Sequence, residues 1–366
     1  MMQHFVDEHT IAGAVTLVAD LDKTLSLEAI GSANLEEKKE MLTDNLFWIA
    51  SMTKPMTAMA VMMLVEEGKL IIEDPVEKYL PEFRGQMLEK NKNIPLEKPA
   101  RPVTIKDLLT HTSGLISKSP LQQTQTDTLT LKEAVNSYAT SPLQFEPGSR
   151  WSYCNPGINT LGRLVEVLGG KPYAEFMQER LFTPLLMKDT TFWPTEEQAA
   201  RIAKSYKLKA DKSALEETPI AHLSRPLTNI KRMPMPAGGL FSTASDLVKV
   251  YQMIINGGTL NGHRYLKEET LKKMTTNQLG DMRVSFTEGM NMGLGFHIVK
   301  TPQGVTEALS LGSFGHGGAY GTQAWMDPQR KLIMVLLIQR ADIGNSDGSA
   351  LRGEFQKAAV AAFGKR

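Results

Sequence analysis

The sequence is short of nearly every feature that announces a function by itself. One cysteine, Cys154, stands among 366 residues. That excludes an internal disulfide framework, a cysteine-based zinc site and a CxxC redox centre. Charge of one sign is also missing, because 41 Lys+Arg against 40 Asp+Glu leave a net +1. A nucleic acid or an anionic membrane surface held by bulk electrostatics is therefore not an expected partner. The longest apolar run, Ala58 to Val65, falls far short of the ~20 residues that a membrane span needs. The start, Met-Met-Gln-His-Phe-Val-Asp-Glu-His, lacks the basic, apolar, small-residue order of a signal peptide, so the compartment stays open with the cytoplasm favoured. His4, His9, His222, His263 and His297 have no metal-ligand spacing such as H-E-x-x-H, and neither metal nor cofactor is expected.

What is present is ordinary globular material. A hydrophobic content of 42% supports a large core, and at roughly 150 residues per domain the length suggests about two domains. Ile11 to Ala19 and Leu25 to Ile30 are short, β-branched runs that read as strands. Ser51 to Gly68 reads as a helix apolar on nearly every side, hence buried, with Pro55 tolerable in its first turn and Gly68 as its stop. From about Ile72 to Arg232 the signals are mostly helical: Thr104–Leu109, Leu131–Tyr138, Gly157–Leu168 and Tyr173–Arg180. Lys90–Pro102, Ser117–Asp127 and Asp281–Asn291 read as long loops. A helix capped by Ser242 or Thr243 follows Gly238-Gly239. Strands return at Gly295–Lys300, Gly321–Met326 and Lys331–Gln339, the last two joined at Asp327-Pro-Gln-Arg, and a closing helix runs from Ser349 to Phe363. Strand-rich ends around a helical middle predict an α+β fold. An antiparallel sheet flanked by helices is built from both termini (1–71 and 233–366), with an inserted all-helical domain (72–232) and a cleft between them.

Three short segments carry chemistry. In Ser51-Met-Thr-Lys54, the only S-x-x-K of the chain, the i, i+3 spacing puts the amine on the serine's side of the helix. Burial would push Lys54 towards its neutral, proton-accepting form. A capping serine beside a snorkelling lysine is the plainer reading of that pair alone. In Tyr153-Cys154-Asn155, between Pro147-Gly148 and Pro156-Gly157, a phenol and an amide can face one cleft, although a loop-anchoring tyrosine explains the segment equally well. In Gly315-His316-Gly317-Gly318-Ala319 the glycines permit close backbone approach to a ligand, or merely a flexible bulge. His111, in Thr110-His-Thr-Ser, reads as a structural hydrogen-bonder.

Taken together and in this order, the three segments resemble the penicillin-recognising serine hydrolases. The likeness is to the class C β-lactamase-like branch, which includes the family VIII carboxylesterases. Phe47-Trp-Ile-Ala-Ser-Met-Thr-Lys-Pro, Leu109-Thr-His-Thr-Ser-Gly-Leu115 and Pro236-Ala-Gly-Gly-Leu-Phe-Ser-Thr-Ala-Ser-Asp246 add to it, and the likeness extends from about Ala12 to Phe363. The resemblance implies Ser51 as nucleophile, with Lys54 and Tyr153 sharing acid and base work. It implies Asn155 as a substrate-positioning residue and the N–H groups of Ser51 and Ala319 as an oxyanion hole beside His316, Gly317 and Gly318. Where the lactamase pattern has Lys-Thr-Gly, this chain has His316-Gly317-Gly318. Losing a charged hydrogen bond to a β-lactam carboxylate removes ~1.5–3 kcal/mol of recognition while leaving acyl chemistry intact. The expectation is therefore a carboxylesterase for small-molecule, short acyl esters, with β-lactamase or D-amino-acid peptidase or transacylase activity as the alternative. The oligomeric state is left open. Gly344-Asn-Ser346-Asp-Gly348 also fits G-x-S-x-G, but no histidine follows His316 to complete an elbow-type triad, so it reads as a polar loop.

Overall fold

Gly13–Ala19 (β1) is buried along its length except at Thr16, because the sheet is covered on both faces. It pairs antiparallel on one side with Thr24–Asn34 (β2), which in turn pairs with Lys39–Glu40 (β3). The other strands come from the far end of the chain: Met290–Met292 (β4), His297–Val299 (β5), Phe314–Gly317 (β6), Gln323–Asp327 (β7) and Leu332–Leu337 (β8). The order is β4-β5-β6-β7-β8-β1-β2-β3, with Val15 opposite Leu337 and Ala19 opposite Ile333 where the two ends of the chain meet. This computed structural model describes residues 2–119, 121, 127–221, 223–284 and 287–364. His222 and parts of the expected loops 117–127 and 281–291 lie outside the described residues.

Period-two alternation divides β8 between two cores. Ile333, Val335 and Leu337 face one cluster, and Leu332, Met334 and Leu336 face the other. The expected helix after the first strands is Thr53–Glu66 (α1), buried on every side through Leu64. Ile105–Leu109 (α2), Leu131–Ala139 (α3) and Asn155–Gly169 (α4) follow, and α4 packs against all three. Ala244–Ile255 (α5) covers the sheet at β8 and β1, while Ala350–Phe363 (α6) lies on β8 from the second core. Side chains fix the helix starts: Thr243, one of the two expected caps, caps α5, while Thr104 and Asp107 form a capping box on α2 and Ser349 caps α6. Among the described residues no helix is long and apolar enough to cross a membrane.

The structure differs from the sequence reading in four places, and the first two have physical causes. α4 starts at Asn155, earlier than the glycine expected, because the Cys154 thiol accepts the Gly157 N–H (3.4 Å) and Pro156 is harmless in a first turn. The stretch from Arg201 to Glu217 belongs with no helix. It is largely extended, and its backbone bonds to Leu46, Ala33 and Gln339, partners far away in sequence. The end of the expected loop at 281–291 is the edge strand β4, and Glu268–Met274 is a helix that no sequence signal had suggested.

Candidate active site

Ser51 sits in a single 3-10 turn, Ala50–Met52, immediately before α1. The turn is forced. Ala50 has φ +46°, a left-handed conformation that costs a non-glycine residue roughly 1 kcal/mol or more. It is held from both sides: Thr53 Oγ1 donates to Ala50 O (2.7 Å), and the preceding Phe47–Trp48 pairs with Phe241–Ser242. The result presents a half-buried hydroxyl above a helix whose interior is closed to water.

Lys54, three residues on, is fully buried. Its Nζ donates to Ser51 Oγ (2.9 Å) and to Ala237 O (2.7 Å). Ala237 is fixed in turn, since its N–H donates to Asn159 Oδ1 (3.0 Å) on α4. Desolvation drives the Lys54 pKa well below that of an ordinary lysine. Among the described residues no carboxylate forms an ion pair with it, and the more distant charges of Cys154 and Asp347 offset the desolvation only in part.

Tyr153 arrives from the segment before α4. Its ring lies 4.7 Å from Lys54 Nζ, and its hydroxyl is hydrogen-bonded with Ser51. Burial raises its pKa far above the usual phenol value, and the Ser51 hydrogen bond only partly offsets this. Both shifts favour the uncharged forms, a protonated phenol beside an amine inclined to accept a proton. The segment is held by His111, the structural hydrogen-bonder: its Nδ1 accepts the Cys154 N–H (3.1 Å), and its ring lies 4.7 Å from that of Tyr153. Burial keeps His111 neutral, consistent with an accepting nitrogen.

The glycine-rich strand behaves differently from residue to residue. Ala319 is exposed at the turn after β6 and borders a cavity of about 210 Å³ together with Ser51 and Asn155. Gly318 backs onto the Ile49 carbonyl, where any Cβ would collide. His316 is only 1% exposed, points Nδ1 at Gly317 O (2.7 Å) and stacks on His297 with ring centroids 4.6 Å apart. It does not line the cavity, and burial pushes it well towards the neutral form. Gly317 is hemmed in by the Asp347 carboxylate, which would overlap a side chain there. Thus the structure brings Ser51, Lys54, Tyr153, Asn155 and Ala319 together at the cavity and its floor, while His316 and Gly317 form the layer behind.

Sequence reasoning missed three supports. Asn159 lies one helical turn beyond Asn155, a spacing that could have drawn attention to it. Ala237 O is a backbone group and leaves no trace in residue type. Ser346, set aside with its G-x-S-x-G loop, is buried, and its hydroxyl donates to Gly318 O (2.7 Å), pinning the turn that carries Ala319. A larger groove, about 690 Å³ around Asp246 and Lys249, lies away from Ser51, and those two side chains are bonded to each other (2.9 Å).

Likeness to known proteins covers nearly the whole chain. The sequence profile of the family described as Beta-lactamase matches residues 1–359, and the chain belongs to that family. It is a β-lactamase-like serine hydrolase by membership. Protein Rv1367c of Mycobacterium tuberculosis is 33% identical over 94% of this chain and 90% of its own length. Esterase EstB of Burkholderia gladioli is 29% identical over 93% of this chain and 88% of its own. Among solved structures, EstCE1, described as a hydrolase with promiscuous acyltransferase activity, superimposes with a TM-score of 0.80 at 24% identity, covering 98% of this chain and 96% of that one. That last likeness is one of fold.

Proposed function

We propose that the chain is a carboxylesterase for short acyl esters that works through an acyl-enzyme on Ser51. The cleft lies between a sheet unit (1–71 and 233–366) and a helical insert (72–232). The observation that carries this reading is the neutral-leaning amine of Lys54, 2.9 Å from Ser51 Oγ and closed off from solvent. As Oγ attacks the ester carbonyl, its proton passes to Lys54. The charge developing on the carbonyl oxygen meets the N–H groups of Ser51 and Ala319. When the tetrahedral adduct collapses, the Tyr153 hydroxyl protonates the leaving alcohol and is resupplied by the Lys54 ammonium. Water then attacks the acyl-enzyme, giving its proton to the same amine, and as the C–Oγ bond breaks Lys54 returns that proton to Ser51 Oγ, releasing the acid and the free serine. Asn155, at the start of α4, positions the bound acyl group.

Ester is favoured over lactam because nothing at positions 316–318 grips a carboxylate: His316 is buried and neutral, and Gly317 is closed in by Asp347. The name of the EstB relative supports the same choice. Turnover of a chromogenic butyrate ester against a chromogenic cephalosporin decides it, with the ester expected to be the better substrate by kcat/KM. A faster cephalosporin would move the assignment to β-lactamase or D-peptidase chemistry at the same serine. Ser51→Ala is expected to lower ester kcat by about 10^3-fold or more. Intact mass after brief exposure to substrate should show an acyl adduct in the wild type that clears within minutes; an adduct persisting for hours would indicate a sensor rather than a hydrolase.

A further inference from the structure

Charge is unevenly distributed around the cavity. On the side of β6, among the described residues, no cation faces the cavity to meet an anionic substrate. His316 is buried, Gly317 and Gly318 lack side chains, and the Asp347 carboxylate stands directly behind Gly317. The guanidinium of that layer, Arg352, is fully buried. It donates to Asp347 O (2.7 Å) and Gln356 Oε1 (3.3 Å) and stacks 3.8 Å over the Trp325 ring.

Lys118 lines the cavity. Among the described residues that line the cavity it is the only charged side chain, and no described carboxylate pairs with it. It is exposed, yet its backbone is tied down on both sides. The Cys154 thiol reaches Leu115 O (3.8 Å) and Ile116 O (3.6 Å) ahead of it, and Ser119 Oγ meets Ser137 Oγ of α3 (2.6 Å) after it. The same cavity is lined by Ser51 and by the apolar surfaces of Trp48, Tyr138 and Met235, alongside the amides of Asn155 and Asn159. Tyr153, the donor to the leaving alcohol, packs with Trp151 and Val284 instead of lining this space, so the cavity receives the acyl half of the ester.

We infer that Lys118 recognises an anionic group at the far end of the acyl chain. The favoured substrates are then half-esters of short dicarboxylic acids with a neutral alcohol: a methylene chain against the apolar walls, a carboxylate at the ammonium. The inference rests on the esterase reading, and its test separates the two.

The kcat/KM of monoethyl adipate is compared with that of ethyl hexanoate, an uncharged ester of similar length, in wild type, Lys118→Gln and Lys118→Glu. The adipate-to-hexanoate ratio is expected to fall about fivefold in Lys118→Gln and further in Lys118→Glu, and to shrink in the wild type as salt is added. Calorimetry of the two intact esters on the Ser51→Ala protein, with and without each Lys118 substitution, provides a readout that needs no turnover: binding of monoethyl adipate should weaken relative to ethyl hexanoate by a similar factor. A ratio unmoved by both variants overturns the role of Lys118 while leaving the esterase intact. If neither ester is turned over, the esterase reading is lost and calorimetry alone decides: selective weakening of adipate upholds the anion site, and equal weakening or none removes it.

Discussion

Lys54 concentrates the chemistry of the site in one protonation state. Because desolvation lowers its pKa, the amine is free to accept a proton at pH values where an exposed lysine is charged. The form needed for attack is the neutral one, so kcat/KM for a neutral ester should rise with pH along an acid limb and level off. The midpoint of that limb should lie below the ordinary lysine value of about 10.4. Lys54→Arg keeps a cation that does not lose its proton, and kcat should drop about 10^2- to 10^4-fold without recovery at high pH. A pH–rate profile of both proteins checks this. A wild-type midpoint near 10.4 would mean that the amine is solvated. Ser346 provides a contrast at the same scale. Ser346→Ala removes one hydrogen bond to Gly318 O, so a several-fold loss in kcat and about 1 kcal/mol of stability are expected, far short of the Ser51→Ala loss. Equal losses would revive the elbow reading of that loop.

At the scale of elements, β6 and the turn before α6 share space that only glycine can leave open. Gly317→Thr, which restores the lactamase hydroxyl, drives its Cβ into the Asp347 carboxylate. It should destabilise the protein by about 1–3 kcal/mol in urea unfolding and bring no gain in cephalosporin turnover. The same elements show what a sequence can reveal. β1, β8, α1 and α5 were legible because each is specified locally, by period-two alternation, an all-apolar helical run or a capping threonine. The Ser51–Lys54 pairing was legible for the same reason, since both ends lie on one helical turn. Arg201 to Glu217 was opaque, because its strand-like form is fixed by bonds to Ala33, Leu46 and Gln339 rather than by its own pattern. Ala50 gave no warning of its left-handed backbone, which the surrounding contacts impose. The burial of His316 was equally hidden: its stacking partner, His297, is on the neighbouring strand, and its residue type suggested a ligand contact.

For the molecule as a whole, the layer behind the site ties catalytic geometry to acid stability. Burial alone would raise the Asp347 pKa. The hydrogen bond and charge of His297, with the charge of Arg352, overcome that and hold the carboxyl well below the usual range. The unfolded carboxyl takes up its proton near pH 4, and the native one only at lower pH. Stability from Asp347 is therefore complete above about pH 4 and is lost as pH falls from there towards the native value. Asp347→Asn should flatten the Tm profile in that acid window, whereas a parallel profile would show that the carboxylate contributes no linkage.

The meeting of β1 with β8 has a consequence for biosynthesis. Roughly 300 residues separate these partners, and at elongation rates of about 5–20 residues per second the greasy first hairpin leaves the ribosome tens of seconds before the chain that will shield it. During that interval Gly13–Ala19 is an open edge of the kind that nascent polypeptides stick by, so the yield of active protein in the cell should depend on chaperone supply more than its folded stability alone implies.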